Sequence, residues 1–151
     1  MDSPSRLAKI PVILLHTTGG PHSGHEQVLA LARGLASSAR FTPLVVSGAT
    51  ELLAAAKNDE ISHLPLKGGL FGLRDRLRLR KLLQETHNAI IHSQDMGAAA
   101  LARSLIRSCH WVTHVHTKRD AHPVPTGRKG KALREARAVV ALSSAMGALL
   151  T

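Results

Sequence analysis

The segment Ile10 to Leu35, IPVILLHTTGGPHSGHEQVLALARGL, constrains the fold more than any other part of the chain. An apolar run is followed at once by a glycine-rich stretch and then by apolar residues at helical spacing. Val12 to Leu15 are continuously apolar, as a strand buried on both faces of a parallel sheet must be. Gly19, Gly20 and Gly24 come next, and a helix starting near Ser23 would direct the positive end of its dipole at the same turn. The segment predicts a strand, a turn whose backbone N–H groups can approach an anion closely, and a helix, with phosphate the natural ligand. Neither G-x-G-x-x-G nor the Walker pattern is present. The alternative is that these glycines only turn the chain from strand to helix.

The alternation continues. Strands are predicted at Phe41–Ser47, Ile61–Leu66, Ala89–His92, Trp111–His116 and Ala138–Leu142. Pro43 suits the start of its strand better than the middle. Helices are predicted at Glu51–Lys57, Leu70–Glu85, Met96–Arg107 and Lys131–Arg137, with a last one capped by Ser143. Arg76 to Arg80 alternates Arg and Leu, but both are good helix formers, and no β-branched residue interrupts the segment. Thr117 to Gly130, rich in Pro, Gly and basic residues, is the strongest loop candidate. Strands separated by helices predict a Rossmann-like three-layer α/β/α domain around a parallel sheet. At 151 residues the expectation is one domain with one core.

Composition narrows the partners. Twenty Lys and Arg against ten Asp and Glu give a formal charge of +10, so anionic partners are expected. Aromatic residues are only 2% and tyrosine is absent, which supplies poorly the stacking platform that single-stranded nucleic acid needs. Cys109 is alone, so an internal disulfide and a cysteine-based zinc site are excluded. No apolar run approaches the roughly eighteen residues of a membrane span, and Ile10–Leu15 is too short for a secretory signal, so a cytoplasmic protein is expected.

Three predicted strands end in histidine: His16, His92 and His116. In a doubly wound sheet of order 3-2-1-4-5 these strands are neighbours, and ligands bind such sheets outside the carboxyl ends, where the strand order reverses. The glycine turn, His16, His92 with Ser93 and Gln94, and His116 with Thr117 should then face one crevice. Each histidine taken singly is better explained as a hydrogen-bonded structural residue, and convergence on one rim is the stronger argument. A metal site is the competing use, since His110, His114 and His116 share parity on one strand. No carboxylate pair supports it, and no metal is expected. Asp95 is read as the cap of the helix that follows it.

The order HTTGGPHSGHEQVLALARGLA, RLRLRKLLQETHNAIIHSQDMGAAALARSL, WVTHVHT and AVVALSS resembles the N-terminal half of GT-B-fold glycosyltransferases of the large retaining family four. Ser23-Gly24-His25-Glu26 stands where that family has a Gly-Gly-x-Glu-like loop, with serine in place of one glycine. Asn88-Ala89-Ile90-Ile91-His92 resembles its D-[VI]-[VI]-H strand, and Val115-His116-Thr117 its His-Thr strand end.

The resemblance implies transfer of a sugar from a nucleotide diphosphate to an acceptor hydroxyl, with retention and without a cofactor. Gly19, Gly20 and Gly24 would lie near the donor diphosphate. His116 would contact the donor sugar, as an orienting group and not a nucleophile. His16, His92, Gln94, Thr117, Lys118 and Arg119 would border the acceptor, a glycan or a lipid-linked or cell-envelope molecule. Residues 1–151 would form the acceptor-side domain. The family's second, donor-binding domain does not fall within them, so this polypeptide alone is expected to be inactive. A small basic module that binds a nucleotide, nucleic acid or protein is the non-enzymatic alternative.

Two basic stretches remain. Arg74, Arg76, Arg78, Arg80 and Lys81, interleaved with Leu73, Leu77, Leu79, Leu82 and Leu83, could lie on an anionic leaflet, which would make the protein peripheral to the inner face of the membrane. Alternatively the leucines pack on the sheet and the arginines are merely solvated. Lys118, Arg119, Arg128, Lys129 and Lys131 could hold a phosphorylated acceptor.

Overall fold

The computed structural model describes residues 8–17, 24–66, 72–86, 88–105, 110–115 (backbone only), 126–141, 143, 144 and 148. Among them the strands are β1 (Ile10–His16), β2 (Phe41–Ser47), β3 (His63–Pro65), β4 (Ile90–Ser93), β5 (His110–Val115) and β6 (Ala138–Ala141). The helices are α1 (Gly24–Ser37), α2 (Thr50–Asn58), α3 (Leu73–Glu85), α4 (Met96–Leu105) and α5 (Gly127–Glu135). The strands pair in parallel throughout, in the order β3-β2-β1-β4-β5-β6. This is the expected single α/β domain with a Rossmann-like winding.

Side-chain alternation along β1 divides the interior into two cores. Val12 and Leu14 join Val45, Val28, Leu29, Ala32 and Leu52, under α1 and α2. Ile13 and Leu15 join Val46, Ile91, Leu79 and Ala98, under α3, α4 and α5. Leu14 is 0% and Leu15 1% exposed, so the continuous apolar run is what a strand with helices on both faces requires. Burying each such side chain is worth about 1.5–3 kcal/mol. The small residues of α4, Ala98, Ala99 and Ala102, are buried as well, which lets that helix lie close to the sheet.

Two expectations need correction. Pro43 lies inside β2, not at its start, and is buried. Val45 N donates to Ser62 O at 2.9 Å, and Pro43, two residues earlier on the same side, faces the edge before β3 begins to pair. Its missing N–H therefore costs no ladder bond. Helix α5 begins at Gly127, within the stretch read as loop. Gly130, Ala132 and Leu133 form its buried face, so a glycine that looked like a breaker is a packing surface.

Candidate active site at the sheet switch point

In a parallel sheet every strand leaves at the same edge, and the exits of β1 and β4 diverge because α1 covers one face and α4 the other. A crevice at this divergence is a consequence of the winding. Its lip is polar and buried: His16 (4% exposed), Thr17, Ser47, Ser93, Gln94 (1%) and Asp95 are all withdrawn from solvent. Buried polar groups are retained where hydrogen bonds satisfy them; here the bonds of Thr17 and Asp95 fasten β1 to α4, while Ser93 Oγ is buried with no hydrogen-bond partner among the described residues.

Thr17 N donates to Asp95 Oδ2 at 2.7 Å, and the Thr17 hydroxyl donates to Asp95 Oδ1. The same Oδ1 accepts from Ala98 N at 2.8 Å, so Asp95 is the N-cap of α4, as its position suggested, with its charge at the positive end of the helix. Gln94 N donates to Leu15 O at 2.8 Å. Gly97 completes the clasp: a Cβ there would lie 2.6 Å from Thr17 Oγ1 and 3.0 Å from Asp95 Oδ1.

On the α1 side, His16 Nδ1 and Ser47 Oγ share a hydrogen bond of 3.3 Å, its direction set by the imidazole tautomer. Ser47 Oγ also accepts from Ala49 N at 3.0 Å. The His25 ring, from the first turn of α1, meets the His16 ring edge-on at 4.9 Å. Its Nε2 is buried and has no hydrogen-bond partner among the described residues. Gly24 lies against His16, where a Cβ would sit 3.6 Å from Nε2, an ordinary contact.

The expected residues thus divide. His16, Gln94 and Gly24 gather at the crevice. His92 is one position short of the strand end, because β4 runs on to Ser93. It pairs with Leu14, which sets it a row behind Gln94 on the α1 face. Gly19, Gly20, His116, Thr117, Lys118 and Arg119 lie outside the described residues. Thr17, His25 and Gly97 were not anticipated. The available signal for Gly97 was a glycine in the first turn of a helix, where it costs about 1 kcal/mol against alanine and usually marks a close approach.

The resolved electrostatic perturbation lies elsewhere. Arg103 on α4 donates to Glu135 on α5 through Nε at 2.5 Å and a terminal nitrogen at 3.1 Å. This bond holds the Glu135 carboxyl below its ordinary range and raises the guanidinium. Among the described residues no three His, Cys, Asp or Glu side chains group to hold a metal, and no helix is long and apolar enough to cross a membrane. The side chains of His110, His114 and His116 fall outside the described set.

On α3, Leu79 is buried and Leu82 and Leu83 pack partly against the core. Leu73 and Leu77 instead stand 74% and 58% exposed. Arg76 reaches Ser104 Oγ at 3.2 Å, while Arg74, Arg78, Arg80 and Lys81 are exposed.

The model of Glycosyltransferase Family 4 matches residues 24–151. The chain belongs to this family. The resemblance of the sequence to the N-terminal GT-B domain of family-four glycosyltransferases rests on this match and on the winding of the sheet. A crystal structure of a glycosyltransferase from Rickettsia africae ESF-5 is similar to this family 4 domain with a TM-score of 0.56 and 18% identity. The similarity covers 95% of this chain and 39% of that one, so the domain spans 39% of that protein's length. At this identity the likeness speaks for the fold. Among curated proteins none matches the domain.

Proposed function

We propose that this family 4 domain is the acceptor-side half of a retaining glycosyltransferase, which moves a sugar from a nucleotide diphosphate to an acceptor hydroxyl. The observation that carries this reading is the clasped exit of β1. Thr17 is held by Asp95 through both its N–H and its hydroxyl, so the chain leaving toward α1 starts from a fixed point at the strand-order reversal. Glycosyl transfer breaks the bond from the anomeric carbon to the diphosphate and forms one to the acceptor oxygen, whose proton departs. Negative charge grows on the leaving diphosphate. Preorganised backbone N–H groups and a helix N-terminus stabilise such charge without reorganising.

In this reading Gly19, Gly20 and Gly24 lie beside the diphosphate, and His116 orients the donor sugar by hydrogen bonding. His16, His92, Gln94, Thr117, Lys118 and Arg119 border the acceptor. A second domain holds most of the nucleotide sugar, and no metal takes part.

Gly24→Ala in the complete enzyme tests the assignment. Among the described residues the added methyl meets only His16 Nε2, at 3.6 Å, so the fold should tolerate it while the diphosphate is pushed away. The expected result is an unchanged melting temperature with transfer slowed at least about tenfold, less than the roughly hundredfold or more that losing one whole preorganised donor costs. His116→Ala should likewise lower turnover strongly. Wild-type turnover in both variants would remove the assignment.

A further inference from the structure

We infer that the exposed face of α3 docks this domain on an anionic bilayer surface, with Leu73 and Leu77 among the headgroups and Arg74, Arg78, Arg80 and Lys81 on lipid phosphates. The docking does not rest on the transfer reading. A crossover helix is expected to bury its apolar residues, and α3 does so with Leu79. The first two turns break that rule, since Leu73 and Leu77 stand in solvent at 74% and 58%.

The helical wheel arranges their neighbours. Leu77 lies about 40° around the helix from Leu73, with Arg80 about 20° to one side of Leu73. On the other side Lys81 and Arg74 lie at about 80° and about 100°. The exposed leucines therefore form a short apolar strip with cations on both flanks, the pattern of a helix lying in the plane of a lipid interface. The acidic groups of α3 offset only the Lys81 charge and leave the arginines to set the sign of the face. Asp75 is on the buried face, and Glu85, in the last turn, faces Lys81 at 3.8 Å.

This charge pattern chooses the occupant. A second copy of the chain docked through the same face would set arginine against arginine, whereas a leaflet of anionic lipid offers phosphates around an apolar interior. The position of the strip adds a consequence for the site. Helix α3 follows β3 and precedes β4, so its first turns lie at the carboxyl edge of the sheet, the edge that carries His16 and Gln94. A bilayer touching Leu73 and Leu77 lies along that rim.

Flotation of the 151-residue chain with lipid vesicles tests the inference without any sugar donor, so its failure leaves the transfer reading untouched. Vesicles of phosphatidylcholine are compared with vesicles carrying about 30% phosphatidylglycerol at about 0.15 M salt. Binding to the anionic vesicles is expected, with at least about tenfold loss on phosphatidylcholine alone. Leu73→Ser/Leu77→Ser should reduce binding about tenfold or more with an unchanged circular dichroism spectrum and melt, because neither leucine is in the core. Arg74→Gln/Arg78→Gln should remove the preference for anionic lipid. Absence of binding by the wild type, or unchanged binding by the leucine variant, would overturn the inference. So would concentration-dependent dimerisation that the leucine variant abolishes, which would assign the face to a second copy.

Discussion

Gly97 is the residue at which one added methyl group would be felt most. Alanine is the better helix former by about 1 kcal/mol, yet its Cβ would stand 2.6 Å from Thr17 Oγ1. Gly97→Ala should therefore destabilise the domain by about 1–3 kcal/mol. Gly34→Ala, on an exposed stretch of α1 with nothing within 4 Å among the described residues, should stabilise it by about 0.4–1 kcal/mol. Urea unfolding of the two variants checks this contrast, and a neutral or stabilising Gly97→Ala would show that the clasp yields without cost. The capping role of Asp95 was legible because a cap is a local device, bonding three residues ahead. Its hold on Thr17 was not, because 78 positions separate the two and only the pairing of β1 with β4 brings them together. His16 and Gln94 were anticipated at the crevice because the strand order could be read. His92 falls a row behind them because one further residue, Ser93, belongs to the strand.

Among elements, the central strands were the most readable, since burial on both faces leaves a continuous apolar run that little else produces. β2 spans the expected residues, Phe41–Ser47. The turn after α2 was placed between Lys57 and Ile61, but its left-handed residue was not legible, because Glu60 takes that conformation (φ 57°) where glycine usually gives the signal. Helix α5 was partly hidden as well. Its sequence GRKGKALRE carries two glycines in the first turn, which read as loop, before a run of good helix formers, and the helix is fixed by packing Gly130, Ala132 and Leu133 inward and by the bond between Glu135 and Arg103. That bond has a pH signature. The Glu135 carboxyl titrates below its ordinary range, chiefly because Arg103 hydrogen-bonds it. Its contribution is therefore present above the unfolded glutamate value of about 4.3 and is lost as pH falls through the lower folded value. The stability difference between wild type and Glu135→Gln should be largest near neutrality and shrink in acid. A difference that stays constant between about pH 6 and about pH 3 would deny the linkage.

At the scale of the whole molecule, two cores share one sheet, and the helices are not held to it equally. Helix α4 buries Met96, Ala98, Ala99, Leu101 and Ala102, whereas α3 buries Asp75 and Leu79 alone, one of them a carboxylate. Free energies of local opening follow such differences, and segments with few buried apolar groups open below the global limit. In native-state hydrogen exchange the α3 amides should lose protection well before those of α4, and equal protection would contradict this. Helix α3 covers only one of the two cores, so its opening leaves the other, under α1 and α2, closed, and whatever holds that helix from outside guards one half of the interior alone.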